Sequence, residues 1–170
     1  VLGHLTPELQ AKVGFDAEVI LPATHDTGSA FLAVPARDEF AAYLSSGTWS
    51  LLGVENAAAI TSPDSCAANF TNEGGYEYRY RYLKNIMGLW MIQSVRRELG
   101  EQNGTRPSFP ELIAAAKEAA DFTSCVDPND SRFLAPTSMI AEVKAACADT
   151  HQPMPQTTRE VMQCIYNSLT

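Results

Sequence analysis

One carboxylate stands out for its company. Asp26 sits in the run Thr24-His25-Asp26-Thr27-Gly28-Ser29-Ala30, between a strand-like stretch and the apolar run Ala30-Phe31-Leu32-Ala33-Val34. A carboxylate at a strand-to-helix junction is kept ionised by the helix dipole, and it can accept a proton from a substrate that small neighbours let approach. The same residue at the same place can also be an ordinary N-cap, bonded to an N–H of the next turn. His25 is either its chemical partner or a packed or surface histidine. A second run, Tyr43-Leu44-Ser45-Ser46-Gly47-Thr48-Trp49-Ser50, is rich in hydroxyls and glycine. Such a turn can wrap phosphate oxygens with backbone N–H groups and the Thr48 hydroxyl, or it can be a plain hairpin turn. It is not a Walker A loop, because no GxxxxGK[ST] occurs.

The elements that must position these residues follow from spacing. Thr6-Pro7-Glu8 opens a short helix to about Val13. Glu18 to Ala23 reads as a strand with Val19, Ile20 and Leu21 buried, and Ala30 to Val34 as a buried helix closed near Pro35. Phe40–Ser45 and Trp49–Val54 form a hairpin, and Ala67–Thr71 a third strand turned by Gly74-Gly75. Tyr76 to Leu83 alternates, with four tyrosines on one face and Glu77, Arg79, Arg81 and Leu83 on the other. The period then becomes helical. Asn85–Leu99 ends at Gly100, Ser108-x-x-Glu111 opens a helix over Pro110–Ala120, and Asp127-Pro128-Asn129-Asp130 is a turn. Thr137–Ala148 and Pro155–Leu169 are two further helices, the second begun by Thr157-x-x-Glu160.

Composition narrows the function classes. The 170 residues are 45% hydrophobic and 19% charged, which is enough apolar content for a packed core. A net charge of −8, from 12 basic and 20 acidic residues, argues against a nucleic-acid backbone as partner. No apolar run approaches the roughly 20 residues that cross a bilayer, and no signal peptide is evident, so no membrane partner and a cytoplasmic location are expected. The four cysteines and three histidines lack zinc spacing, so no metal ligands are assigned. Cys147 and Cys164 lie on consecutive helices that could bring them within disulfide range, while free thiols remain the default. The chain starts at Val1 and stops at Thr170 inside a helical pattern, so a segment of a longer protein is expected.

Taken together, five runs resemble the FGGY carbohydrate kinases: His25-Asp26-Thr27-x-Ser29-Ala30, Tyr43 to Ser50, Asn69-x-Thr71-Asn72-Glu73-Gly74-Gly75, Leu83-Lys84-Asn85-Ile86-Met87-Gly88-Leu89-Trp90, and Asp127-Pro128-Asn129-Asp130-x-Arg132-Phe133. The resemblance covers nearly the whole chain and is strongest to the branch acting on L-rhamnulose. It implies an α/β, actin-like and ribonuclease-H-like ATPase fold of two lobes around a cleft. Residues 1–37 would close the sugar-binding N-terminal lobe, and 38–170 would begin the ATP-binding C-terminal lobe. The implied activity is transfer of the ATP γ-phosphoryl group to the sugar 1-hydroxyl, with Mg²⁺. Asp26 matches the family's proton acceptor, His25 and Thr27 the flanking sugar contacts, and Asn85 a sugar position. Gly47, Thr48 and Gln93 match the ATP side. The family's N-terminal phosphate hairpin and its Gly-rich adenine segment are not found here. The segment alone is therefore expected to be inactive and to expose faces that make it self-associate. The parent is expected to be a monomer or weak dimer. A sibling ketose kinase acting on L-fuculose, and a binding module without catalysis, are the other readings.

Overall fold

The computed structural model describes residues 1–21 and 25–170. They form two compact units, Val1–Ser45 with Gly53–Lys84 and Ser46–Leu52 with Asn85–Thr170. In the first unit, strands β1 (Gly3–His4) and β2 (Glu18–Val19) pair antiparallel around helix α1 (Pro7–Val13). Local chemistry sets α1: the Thr6 hydroxyl accepts the Leu9 N–H, Pro7 fixes the first turn, and Gly14 closes the helix in the left-handed region at φ 80°. The strand expected over 18–23 is shorter. It stops at Val19, and Ile20 and Leu21 are 62% and 63% exposed rather than buried. Its expected end, with Thr24 beside it, falls at 22–24, outside the described residues.

Helix α2 (Asp26–Ala33) starts four residues earlier than the apolar pattern implied. Its buried Phe31 stacks on Tyr43 of strand β3 (Ala42–Ser45), with ring centroids 4.7 Å apart. After β4 (Ser50–Asn56), the expected third strand over 67–71 is replaced by helix α3 (Pro63–Ala67) and strand β5 (Phe70–Gly74). Ser62 caps α3 and Pro63 starts it, so helix chemistry prevails before the strand begins. β6 (Tyr80–Ile86) pairs antiparallel with β5, setting Glu73 opposite Arg81, and the sheet order is β3-β4-β6-β5. The alternating strand from Tyr76 is also corrected. Tyr76–Tyr78 is a tight 3₁₀ turn in which Glu77 and Tyr78 adopt φ of 51° and 61°. The buried face of β6 is the one carrying Arg81 and Leu83, not the tyrosine face.

The second unit is helical: α4 (Trp90–Asn103), α5 (Phe109–Lys117), α6 (Met139–Asp149) and α7 (Thr158–Ser168). The helix expected over 85–99 is shifted. Asn85 and Ile86 finish β6, Gly100 lies inside α4, and Gly104 at φ 75° ends it. One core joins Met91, Ile92, Val95 and Leu99 of α4 to Leu112 of α5, Val143 and Cys147 of α6, and Val161, Met162 and Ile165 of α7. Buried Phe133, just past the Asp127–Asp130 turn, joins it, and its carbonyl accepts the Trp90 indole N–H at 3.0 Å. Among the described residues no helix is long and apolar enough to cross a membrane.

Both capping boxes read from sequence are present. The Ser108 amide and hydroxyl donate to Glu111 at 2.6 and 2.7 Å, and the Gln156 and Thr157 amides donate to Glu160 at 2.7 and 2.9 Å. These bonds stabilise the carboxylate form, so both glutamates are held below the ordinary value of 4.5. A depressed folded-state value contributes stability that is full above pH 4.5 and is lost as pH falls through the folded value. Replacing Glu111 and Glu160 together by Gln is expected to flatten the fall in stability between roughly pH 5 and pH 3, read by urea titration at each pH.

Candidate functional site

The first cluster lies at the start of α2, within the first unit. Asp26 is the first helical residue, and the cap position belongs to His25, which makes no side-chain cap bond. The reading of Asp26 as an ordinary N-cap is therefore replaced by a different geometry. Its Oδ1 accepts the amide of the very next residue, Thr27, at 2.7 Å, with the Thr27 hydroxyl 3.4 Å away. That amide is one of the four that a helix N-terminus leaves without a backbone partner, so the contact sets the carboxylate against the positive end of the helix dipole. The Asp26 side chain is nevertheless 97% exposed, open to a ligand. His25 is half exposed, with Nδ1 3.9 Å from Asp26 Oδ1 and 3.8 Å from Glu73 Oε2. Thr27 and Gly28 are buried beneath them.

The residues under that turn were not singled out from sequence. Arg81 of β6 is buried, and its Nη2 lies 3.1 Å from Glu73 Oε2 and donates to the Gly74 carbonyl at 3.2 Å. A Cβ on Gly28 would overlap the Arg81 guanidinium, so the first turn of α2 rests directly on it. A cavity of about 350 Å³ opens here, lined by His25, Gly28, Glu55, Gly74, Glu77 and Arg81 among others. The available signal was the charged side of the Tyr76–Leu83 alternation. The alternation named two faces without saying which is buried, and Glu73 and the close approach at Gly28 accompany the burial of Arg81.

The second cluster lies within the second unit. The carbonyls of Gly47 and Thr48 accept the Leu89 and Trp90 amides, both at 3.0 Å, and thereby cap the start of α4. The Thr48 hydroxyl accepts Gln93 Nε2 at 3.2 Å. Gly88 makes this docking feasible, because a Cβ there would overlap Ser50 Oγ and sit 2.8 Å from the Gly47 carbonyl. The structure thus brings Gly47, Thr48 and Gln93 together in one unit, and His25, Asp26 and Thr27 together in the other. Asn85 is exposed and lies on β6 rather than on a helix, because the strand runs on to Ile86.

Cys147 and Cys164 do approach each other, with sulfurs 3.7 Å apart in the core, but both are free thiols and no disulfide joins them. Burial pushes both thiols up, Cys164 to about 12, so they are poor nucleophiles. Among the described residues no group of three or more His, Cys, Asp or Glu could hold a metal ion.

Residues 42–170 match the FGGY family of carbohydrate kinases, C-terminal domain, and the chain belongs to that family. Its architecture is consistent with an actin-like, ribonuclease-H-like ATPase fold. Over 169 residues the chain is 53% identical to a protein of Oceanobacillus iheyensis named Rhamnulokinase, covering 99% of this chain and 35% of that protein. It is 53% identical over 168 residues to the Rhamnulokinase of Halalkalibacterium halodurans, with the same coverage. It is 48% identical over 169 residues to that of an Enterobacter species, covering 33% of it. The chain thus spans about a third of the length of the curated relatives it matches.

The Gly88 packing is testable by itself. Gly88→Ala must push either Ser50 or the Gly47 carbonyl aside, and overpacking of this kind costs about 1–3 kcal/mol. Thermal unfolding is expected to fall accordingly, and Gly74→Ala, where a Cβ meets open space, to cost less.

Proposed function

We propose that this chain is the part of an ATP-dependent ketose kinase that carries the proton acceptor. The whole enzyme would transfer the γ-phosphoryl group of ATP to the 1-hydroxyl of L-rhamnulose, giving L-rhamnulose 1-phosphate. The observation that carries this reading is the Asp26 carboxylate, 97% exposed yet anchored at a helix N-terminus by the Thr27 amide. Family membership and relatives named Rhamnulokinase at about half identity support the sugar assignment. Residues 1–37 would close the first, sugar-binding lobe, and 38–170 would begin the second; the family match from residue 42 supports that boundary.

In this mechanism the sugar hydroxyl oxygen forms a bond to the γ-phosphorus while the bond from that phosphorus to the bridging oxygen breaks, releasing ADP. The hydroxyl proton passes to Asp26. A base of this kind contributes about 10²–10⁴-fold, and alignment and charge stabilisation supply the rest. His25 and Thr27 flank the base on the sugar side, and Asn85 contributes a polar contact to the sugar. Gly47, Thr48 and Gln93 contact the nucleotide. Mg²⁺ neutralises phosphate charge when bound; an ion that enters on the nucleotide's own phosphates needs no protein cage of several carboxylates.

Asp26→Asn in the full-length kinase is expected to lower kcat by about 10²–10⁴-fold while ATP binding, measured by calorimetry, is retained. Unchanged turnover would remove Asp26 from the mechanism, and faster turnover of L-fuculose than of L-rhamnulose would reassign the sugar. The 170-residue chain alone, given MgATP and L-rhamnulose, is expected to form no ADP. A rate matching the full-length enzyme would overturn the view that the remaining two thirds are required.

A further inference from the structure

We infer that Arg81 and Glu73 are positioning residues for the phosphoryl-transfer step, holding the first turn of α2 and with it His25 and Asp26. The inference rests on the reading of Asp26 as proton acceptor.

The need for such a device follows from α2 itself. It has eight residues, its cap residue His25 supplies no side-chain cap bond, and among the described residues Asp26 hydrogen-bonds to its neighbour Thr27. Helices shorter than about 12–15 residues do not hold themselves in water. Packing must therefore help to set the position of this turn: Phe31 stacks on Tyr43 further along the helix, and at the first turn Gly28 rests on the Arg81 guanidinium. Arg81 is fixed in turn. Glu73 is its register partner across β5 and β6, their charged groups lie 3.1 Å apart, and the Gly74 carbonyl accepts a second contact at 3.2 Å. Opposite charges directly across an antiparallel pair reinforce that register. The same Glu73 oxygen faces His25 Nδ1 at 3.8 Å, so one carboxylate addresses both the support and the residue beside the base.

Stability alone does not account for this arrangement. The Arg81 side chain is 5% exposed, and its Nε has no hydrogen-bond partner among the described residues. A buried ion pair is often no more stable than an apolar pair of equal volume, because desolvation offsets the attraction. What the flat guanidinium provides, and an aliphatic side chain would not, is a rigid platform under Gly28 with a fixed tie to two points on β5.

The test uses the full-length kinase with Arg81→Met, Glu73→Gln, both together, and Arg81→Lys. It reads kcat, KM for each substrate, and amide hydrogen exchange of the peptide containing α2. Arg81→Met is expected to lower kcat about 10–100-fold, the effect of a small displacement of a reacting group, with KM for ATP unchanged. Exchange across α2 should quicken while that of α5 and α7 stays as it was. Glu73→Gln should act in the same direction, and should carry the test if Arg81→Met does not fold. The double variant should be no worse than the worse single one, since the two act as a unit, and Arg81→Lys should recover part of kcat. Unchanged kcat, a loss of kcat with α2 exchange unaltered, or a double variant showing the product of both single losses would each overturn the inference. If the unsubstituted enzyme phosphorylates no ketose, the kinase reading is what fails. Exchange of α2 in Arg81→Met then decides by itself whether the pair holds the helix.

Discussion

A base that removes a proton from a sugar hydroxyl must be fixed in place without having its own surface consumed. Asp26, the base proposed here, meets both conditions by bonding backward into its own helix: the adjacent Thr27 amide holds Oδ1 at 2.7 Å, and nearly all of the side chain remains open. The usual cap geometry would have spent the carboxylate on an N–H two or three residues further on. The shorter contact still sets the carboxylate against the positive end of the helix dipole. Everything else around the site can be understood as keeping this one turn still.

The hairpin at 46–49 is governed by a similar economy. Its carbonyls at Gly47 and Thr48 cap α4, which has no capping side chain of its own at Leu89. The helix gains two satisfied amides and the loop gains a fixed conformation. That leaves the Thr48 hydroxyl at a defined place beside Gln93, with Gly88 admitting the close approach. The rest of the second unit, a core of four helices with the Phe133 turn locked to Trp90, supplies the rigid body that such a loop needs.

What could be read from sequence divides along the same line. α1, α5 and α7 begin with side-chain caps at Thr6, Ser108 and Thr157, and each was legible to within about three residues, because the stop and start chemistry lies inside a few positions of the chain. α2 and α4 carry no such cap, and both were displaced in the reading: α2 begins four residues before the apolar run, and α4 begins five residues after Asn85. α3 was missed although Ser62 and Pro63 announced it, because the alternation beyond it drew the strand forward. The family was legible in its motifs, and the roles proposed for the motif residues come from that resemblance, but Glu73 and Arg81 carried no role. Period-two alternation names two faces and does not say which is buried. Here the tyrosines, with Tyr78 almost wholly exposed, lost to an arginine.

That division has a physical cause. A helix that caps itself has its start specified locally, even where packing supplies most of its stability. A helix capped by another part of the chain is correct only when that other part is correct, so its terminus reports on the tertiary fold. The helix that bears Gln93 is of the second kind, and the helix that bears Asp26, which has no side-chain cap at His25, packs its first turn on Arg81. For an element that must present one atom to a reacting group, dependence on a neighbour is a means of control: the β5–β6 register sets α2, and the hairpin carbonyls set α4. Local rules fail where position has been handed to long-range contacts, and in this chain those are the places where the chemistry is assigned.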